Sequence, residues 1–385
     1  MRWTWRRWLA LGLSVPTALA AWLALAGAVA DYPVMSPDRL DAAVVASADG
    51  EGAPAATVER LALGAFHVHT VASDGRGSLE EVAAAAAAAG LAFVVVTDHN
   101  VVPDKPVRIG GVLMIFGVEV STRDGHVVVL GVEAPLPPAP RSGAEAIAWA
   151  EAQGAALAVL AHPVQRKNPW KDADAGARVQ GYELYSADTL FRDAMARPLS
   201  RLLPAAAGWL GNRRHGVLGL VDDQPAVHAA LLTRHGVPVT VCSHDAHGLP
   251  PYADVFGTMA TAVPARALEG PPEQAAAAVL KSLASGEALC VFQALGDPTG
   301  FSRSVPGGGR ELSVGQTVTL TLPEAAWARA SVRVWGPGVP TDGGRGVVAT
   351  GEGLLQIEVW VDAPGRLFGR SPKPWLVPTP LRVVQ

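Results

Sequence analysis

Nine apolar runs recur between residues 61 and 293, several unbroken by any polar residue, with helix-patterned segments between them. Unbroken runs of this length suit strands buried on both faces rather than one. Strand and helix in alternation imply an α/β fold with a parallel sheet or barrel, helices covering its outside. The expected strands are 61–66, 91–97, 112–120, 126–132, 155–161, 179–185, 237–242, 255–263 and 288–293. Between them the pattern predicts helices at 78–89, 144–153, 190–212 with a break near Pro198 and Pro204, 225–235 and 272–285. The first is the clearest, because Ser78-x-x-Glu81 forms a capping box and Gly90 supplies a stop.

Where these runs end, the same residue types recur: His67-x-His69 with Asp74, Asp98-His99, Glu119 with His126, His162, and Asp245 with His247. Functional groups of α/β barrels gather at the C-terminal ends of strands. His67, His69, His99, His126, His162 and His247, six of the ten histidines, fall there. Any one of them reads equally well as a hydrogen-bonded structural histidine. Together they do not, since buried imidazoles and carboxylates are costly to collect without an ion. His67 and His69 alternate along a strand and so share one face. Imidazole with carboxylate suits zinc, manganese or iron, and one ion takes about four to six ligands, so this set calls for two or three divalent ions.

With these motifs in this order, the chain over 61–293 resembles the polymerase and histidinol phosphatase family, the PHP domain. Its signatures are similar to HxH with a downstream acid, DHN, E followed by H, HP and SDAH. The resemblance implies a distorted seven-stranded barrel over 61–295 that holds two or three metals and most often hydrolyses phosphoesters. It assigns one ion to His67, His69, Glu119 and Asp245. A second would share Glu119 and add His126 and His162; a third would take Asp74, His99 and His247. The chain departs from the family form in SHDAH, where His244 adds an imidazole, and in the short excursion from Glu119 to His126.

Ions sharing a carboxylate would bring a water's pKa towards neutrality and neutralise charge as it builds on the substrate. Asp98, His244 or His247 would protonate the leaving group, and Arg123 and Lys105 would hold an anionic group. Glu183 reads as a supporting residue, and Asp222 and Asp223 as the start of a helix before Pro225. The leading expectation is a phosphoesterase using hydroxide generated at the metals. Two alternatives stay open: a carboxylic or carbamate ester hydrolase on the same site, and a metal-stabilised surface binding module without catalysis. A net charge of −4 offers no basic stripe for a phosphate backbone, which favours a small-molecule substrate over a nucleic acid.

Outside the barrel, the start MRWTWRRW, the apolar run 9–30 and Ala28-Val29-Ala30 read as a signal peptide or an uncleaved anchor. Either places the body outside the cytoplasm, with Arg2, Arg6 and Arg7 inside. Residues 31–60 read as a linker. Cys242 and Cys290 lie in apolar runs and read as buried small hydrophobes, a single bridge remaining open if their strands are neighbours. From 296 to 385, turns separate short alternating runs at 317–322, 331–335, 347–350 and 355–361, the mark of a small β-sandwich. Its Trp327, Trp335, Trp360 and Trp375 read as packing residues, while His215, His228 and His235, on helices beside arginines, are expected in solvent.

Overall fold

The apolar runs become β1 (Leu61–Val68), β2 (Phe93–Val96), β3 (Val107–Ile109), β4 (Val112–Thr122), β5 (Gly125–Leu130), β6 (Leu157–Ala161), β7 (Gly181–Ser186), β8 (Val239–Ser243), β9 (Ala260–Pro264) and β10 (Leu289–Val291). Between them come α1 (Leu79–Ala88), α2 (Gly143–Ala152), α3 (Ala173–Ala177), α4 (Ala187–Met195), a π-helical turn (Pro198–Leu202), α5 (Leu203–Gly211), α6 (Arg213–Leu220), α7 (Pro225–Leu232), α8 (Tyr252–Phe256) and α9 (Pro272–Ser285). This is a computed structural model, and it describes residues 60–385 apart from 134–135, 137–141, 212, 222–223, 235–237 and 365–369, together with Thr17, Ala18 and Ala21. The leader, the linker, Asp222, Asp223, His235 and the His215 side chain lie outside the described residues. Among the described residues no helix is long and apolar enough to cross a membrane.

The strand order β10-β9-β1-β2-β4-β5-β6-β7-β8 is parallel at β1/β2, β2/β4, β6/β7 and β7/β8. It returns on itself at the motif end. The backbone N–H of His244 donates to Phe66 O at 2.8 Å and that of His69 to Ala246 O at 3.0 Å, so the segment after β8 meets the end of β1. Both strand faces are buried, as the unbroken runs require. Val94, Val96 and Met114 pack with Val82, Ala83 and Ala86 of α1, whereas Phe93, Val95 and Ile115 pack with Val279 and Leu283 of α9. Ser78 caps α1 through the expected box, its Oγ accepting from Glu81 N at 3.3 Å.

Four local expectations change. The run 255–263 divides into α8, entered from Pro251, and β9, with Gly257 ending the helix. β3, α3 and α6 were not expected. The tail forms β11 (Ser302–Ser304), β12 (Glu311–Ser313), β13 (Thr317–Thr321), α10 (Glu324–Trp327), β14 (Ala330–Trp335), β15 (Gly338–Thr341), β16 (Gly346–Ala349), β17 (Gly353–Pro364), β18 (Arg370–Pro378) and β19 (Leu381–Val384). One of its sheets is β11-β13-β16-β15. The other, β12-β19-β17-β18, continues into the large mixed sheet because β18 pairs antiparallel with β10.

The tail also meets the α/β body through a buried polar knot. His228, expected in solvent, is 0% exposed: Nε2 contacts Glu358 Oε1 at 2.6 Å and Nδ1 contacts Gln224 O at 2.8 Å. Trp360 Nε1 donates to Glu358 Oε2 at 2.7 Å, and the Trp335 ring stacks on His228 at 4.1 Å. Trp335, Trp360 and the buried Trp375 are therefore packing residues. The two cysteines are not separate thiols: Cys242 and Cys290 form a disulfide with Cα atoms 5.2 Å apart.

Candidate metal centre

The motif residues sit where the backbone leaves regular geometry. Of five non-glycine residues with positive φ among those described, four are His67 (64°), Asn100 (54°), His162 (31°) and Asp245 (47°). Such conformations are costly and persist where surrounding contacts impose them. The regular alternation expected at His67 and His69 does not hold, because β1 is irregular between Phe66 and Val68; their rings nevertheless converge, with centroids 5.0 Å apart. The short excursion from Glu119 to His126 is a hairpin in which Thr122 pairs with Gly125 and Ser121 with His126. His126 is thus the diagonal neighbour of Glu119 on one face, within reach of a long side chain.

Four buried atoms define the floor of the site. His67 Nε2 lies 3.0 Å from Glu119 Oε2 and 3.5 Å from Asp245 Oδ1; His69 Nε2 lies 3.1 Å and 3.3 Å from the same two atoms. Zinc ligand bonds of about 2.0–2.2 Å in a tetrahedron imply ligand separations of about 3.3–3.6 Å. The two separations to Asp245 Oδ1 fall in that range, and the two to Glu119 Oε2 are a few tenths of an ångström shorter. Despite this proximity, His67 Nε2, His69 Nε2 and Glu119 Oε2 make no hydrogen bond and are out of reach of solvent. Orphaned buried polar atoms are rare and costly, so nitrogen and oxygen donors converging without bonding one another fit a cation between them.

Glu119 divides its two oxygens. Oε2 faces His67 and His69, with His99 Nδ1 at 3.2 Å, while Oε1 faces His126 Nδ1 at 2.8 Å and His162 Nε2 at 3.1 Å. Nearer the surface, Asp74 lies 3.4 Å from His247 Nε2, 3.6 Å from His69 Nδ1 and 3.7 Å from His99 Nε2. Three overlapping groups could each hold an ion: His67, His69, Glu119 and Asp245; His99, Glu119 and His126; His69, Asp74, His99 and His247. The first is the set the motifs assign to one ion. His69 and His99 each stand between groups, which the sequence did not anticipate.

Charge follows the same layout. Burial alone would lower the His67 imidazole, yet Glu119, Glu183 and Asp245 outweigh it and hold the group well above its ordinary value. Burial is likewise overcome at His69, by Asp245 and Glu119, and at His162, chiefly by Glu119; both are pushed up to about 9. Burial would raise Glu119 and Asp245, but His67 and the neighbouring imidazoles keep both well below the usual carboxylate range. The carboxylates demand positive charge here, from protons in the ion-free protein or from divalent ions that displace them.

Supporting residues fix the ligands. Glu183 Oε1 contacts His67 Nδ1 at 2.6 Å and its Oε2 accepts the His162 backbone N–H at 2.7 Å. With a proton on Nδ1, the Nε2 lone pair of His67 is aimed at the floor. Asp98, expected to protonate a leaving group, instead braces the loop that carries Asp74: it accepts from Thr70 N at 2.8 Å, Thr70 Oγ1 at 2.7 Å and Ser73 Oγ at 2.5 Å. In that loop Gly75 approaches so closely that a Cβ would lie 2.4 Å from His69 O. His244, expected to face substrate, is 1% exposed, with its ring nitrogens on Phe66 and on Met259 O; burial pushes it down to about 4. His247 keeps its place at the mouth, Nδ1 facing Asp245 O at 2.8 Å.

The cations expected to hold an anion are solvated. Lys105 is exposed and Arg123 lies at a hairpin tip, 3.8 Å from Asp124; among the described residues neither pairs with a member of the cluster. The sequence reading missed Asp188 and Arg192, four residues apart on α4 and paired with each other. Burial pushes the Asp188 carboxyl up and Asp245 adds to it; Arg192 is raised despite partial burial because Asp188, Asp245 and Asp74 face it. An acid directly after a strand run, at the head of a helix, was the available signal.

No protein-family model matches the chain, and no curated protein does. Solved structures similar to it include a two-domain protein containing a predicted PHP-like metal-dependent phosphoesterase from Bacteroides vulgatus, at 14% identity and a TM-score of 0.38, over 84% of this chain and 96% of that one. An amidohydrolase from Chromobacterium violaceum matches at 18% identity and a TM-score of 0.27, over 48% and 87%. The lesion-specific endonuclease PfuEndoQ from Pyrococcus furiosus matches at 14% and 0.35, over 53% and 52%. Likeness of this extent is one of outline and leaves the reaction open.

Proposed function

We propose that this chain is an exported, metal-dependent hydrolase of the PHP type that cleaves a small phosphoester. The observation that carries the reading is the floor of the site: four donor atoms that converge at 3.0–3.5 Å, three of them buried without any hydrogen bond. When bound, the ions supply a water acidic enough to attack at neutral pH and charge to offset that developing on the substrate. Glu119 would offer one oxygen to each of two ions, Glu183 orients His67, and Asp188 holds the Arg192 guanidinium at the mouth, where it would meet an anionic group. The disulfide between Cys242 and Cys290 supports an oxidising compartment, in agreement with the leader.

A carboxylic or carbamate ester is the second reading, favoured because among the described residues neither Lys105 nor Arg123 pairs with the cluster. Turnover of phosphomonoesters, phosphodiesters, aryl esters and a single-stranded oligonucleotide, with and without chelator, separates the readings. The proposal expects chelator-sensitive phosphoester cleavage that disappears in a folded His67→Ala protein. Cleavage of aryl esters alone would replace it with the second reading, oligonucleotide cleavage alone would make the substrate a nucleic acid, and activity unchanged by His67→Ala would end both hydrolase readings at this site.

A further inference from the structure

Resting on the hydrolase reading, we infer that the substrate carries an alkyl or acyl chain which lies in a groove running from the metal cluster between α4, α5 and α6. The groove has a volume of about 350 Å³ and an almost wholly apolar lining that includes Phe191, Leu202, Ala206, Trp209, Val217 and Leu249. It adjoins the cluster: a small cavity of about 10 Å³ shares Phe191, Val217 and Leu249 with the groove and is lined on its other side by Asp188, Asp245 and His247. Trp209 gives its only polar atom to Asp254, Nε1 to Oδ2 at 2.8 Å, and its ring, with the Arg213 guanidinium 5.2 Å from its centroid, lines the groove.

The dimensions restrict the occupant. A cavity of that volume holds about one water, and the groove beside it offers a substrate an almost wholly apolar wall, which suits a hydrocarbon chain and gives a sugar or a base no polar partner. Apolar clefts with polar groups at one end are the usual form of small-molecule sites. Here the polar end is the metal cluster with Asp188 and Arg192, which places the head group at the ions and the chain in the groove. The same helical excursion exposes Leu199 (82%), Leu203 (56%) and Leu210 (62%), an apolar surface that suits delivery of an amphiphile.

The test uses the metal-loaded full chain and calorimetric binding of n-alkyl phosphates from methyl to octyl. Affinity should rise about three- to fourfold per added methylene, level off once the groove is filled, and lose this rise in Ala206→Trp, which fills it. Equal affinity along the series would overturn the inference. Adsorption of the protein to phosphatidylcholine vesicles with no dependence on alkyl length would also overturn it, assigning the apolar surface to membrane docking. A chain-length rise in a protein that turns over no phosphoester would retain the groove and reject the phosphoesterase.

Discussion

The molecule buries histidine against glutamate twice, with opposite outcomes. In the knot between α7 and β17, His228 and Glu358 are as deeply buried as His67 and Glu119, but both imidazole nitrogens have partners and both Glu358 oxygens receive donors, including Trp360 and Trp335. At the candidate metal centre, His67 Nε2, His69 Nε2 and Glu119 Oε2 converge without a hydrogen bond. Burial of ionisable groups does not by itself mark a cation site. Unfilled valence does, since one cluster is complete and the other is complete only with an ion added.

Each prediction tests that contrast. The largest effect is expected from His67→Ala or Glu119→Ala, which should reduce chelator-sensitive hydrolysis to background while circular dichroism stays native; His228→Ala should leave turnover per folded molecule intact. Next, Glu358→Ala removes one partner of a buried pair and should cost about 3–5 kcal/mol in denaturant unfolding, without loss of bound metal. Glu183→Gln should preserve the fold yet weaken metal affinity about 10–100-fold, read by competition with a chelator. Equal loss of stability and no loss of affinity would make Glu183 part of a second closed knot.

The smallest effect is in pH dependence. His69 and His162 sit at about 9 in the folded protein against an ordinary value of 6.5. A raised folded value means the protonated groups stabilise the ion-free protein fully below about pH 6.5, and that contribution is lost as pH rises through about 9. The melting temperature of the ion-free protein should therefore decline across this window. The increment on adding metal should grow over the same range, because protons no longer compete. A metal increment that shrinks with rising pH would contradict the assignment.

Much of the α/β fold was legible because its signals are local. Apolar runs buried on both faces have no polar interruptions, and the residues that end them stand next to the runs in sequence, so the members of the cluster could be read by position. What failed to show depends on distant partners. His228 sits beside solvent-facing arginines in sequence, and its burial comes from Glu358, 130 residues away. The pairing of Cys242 with Cys290 and of β10 with β18 is likewise set by tertiary contacts. Asp98 and His244 were misassigned because sequence places them next to ligands without indicating where the side chain turns: Asp98 towards Thr70 and Ser73, His244 towards the backbone of Phe66 and Met259. Asp188 and Arg192 became visible only when α4 was seen packed beside the cluster.

The most direct test is to purify the full chain with its native ions and count divalent metal per folded molecule by mass spectrometry, in the wild type, Glu119→Gln and Glu358→Gln. The account predicts two or three ions per chain, at least one fewer in Glu119→Gln, and no change in Glu358→Gln. A folded wild-type chain that holds no metal when saturated with zinc, manganese or iron would contradict it.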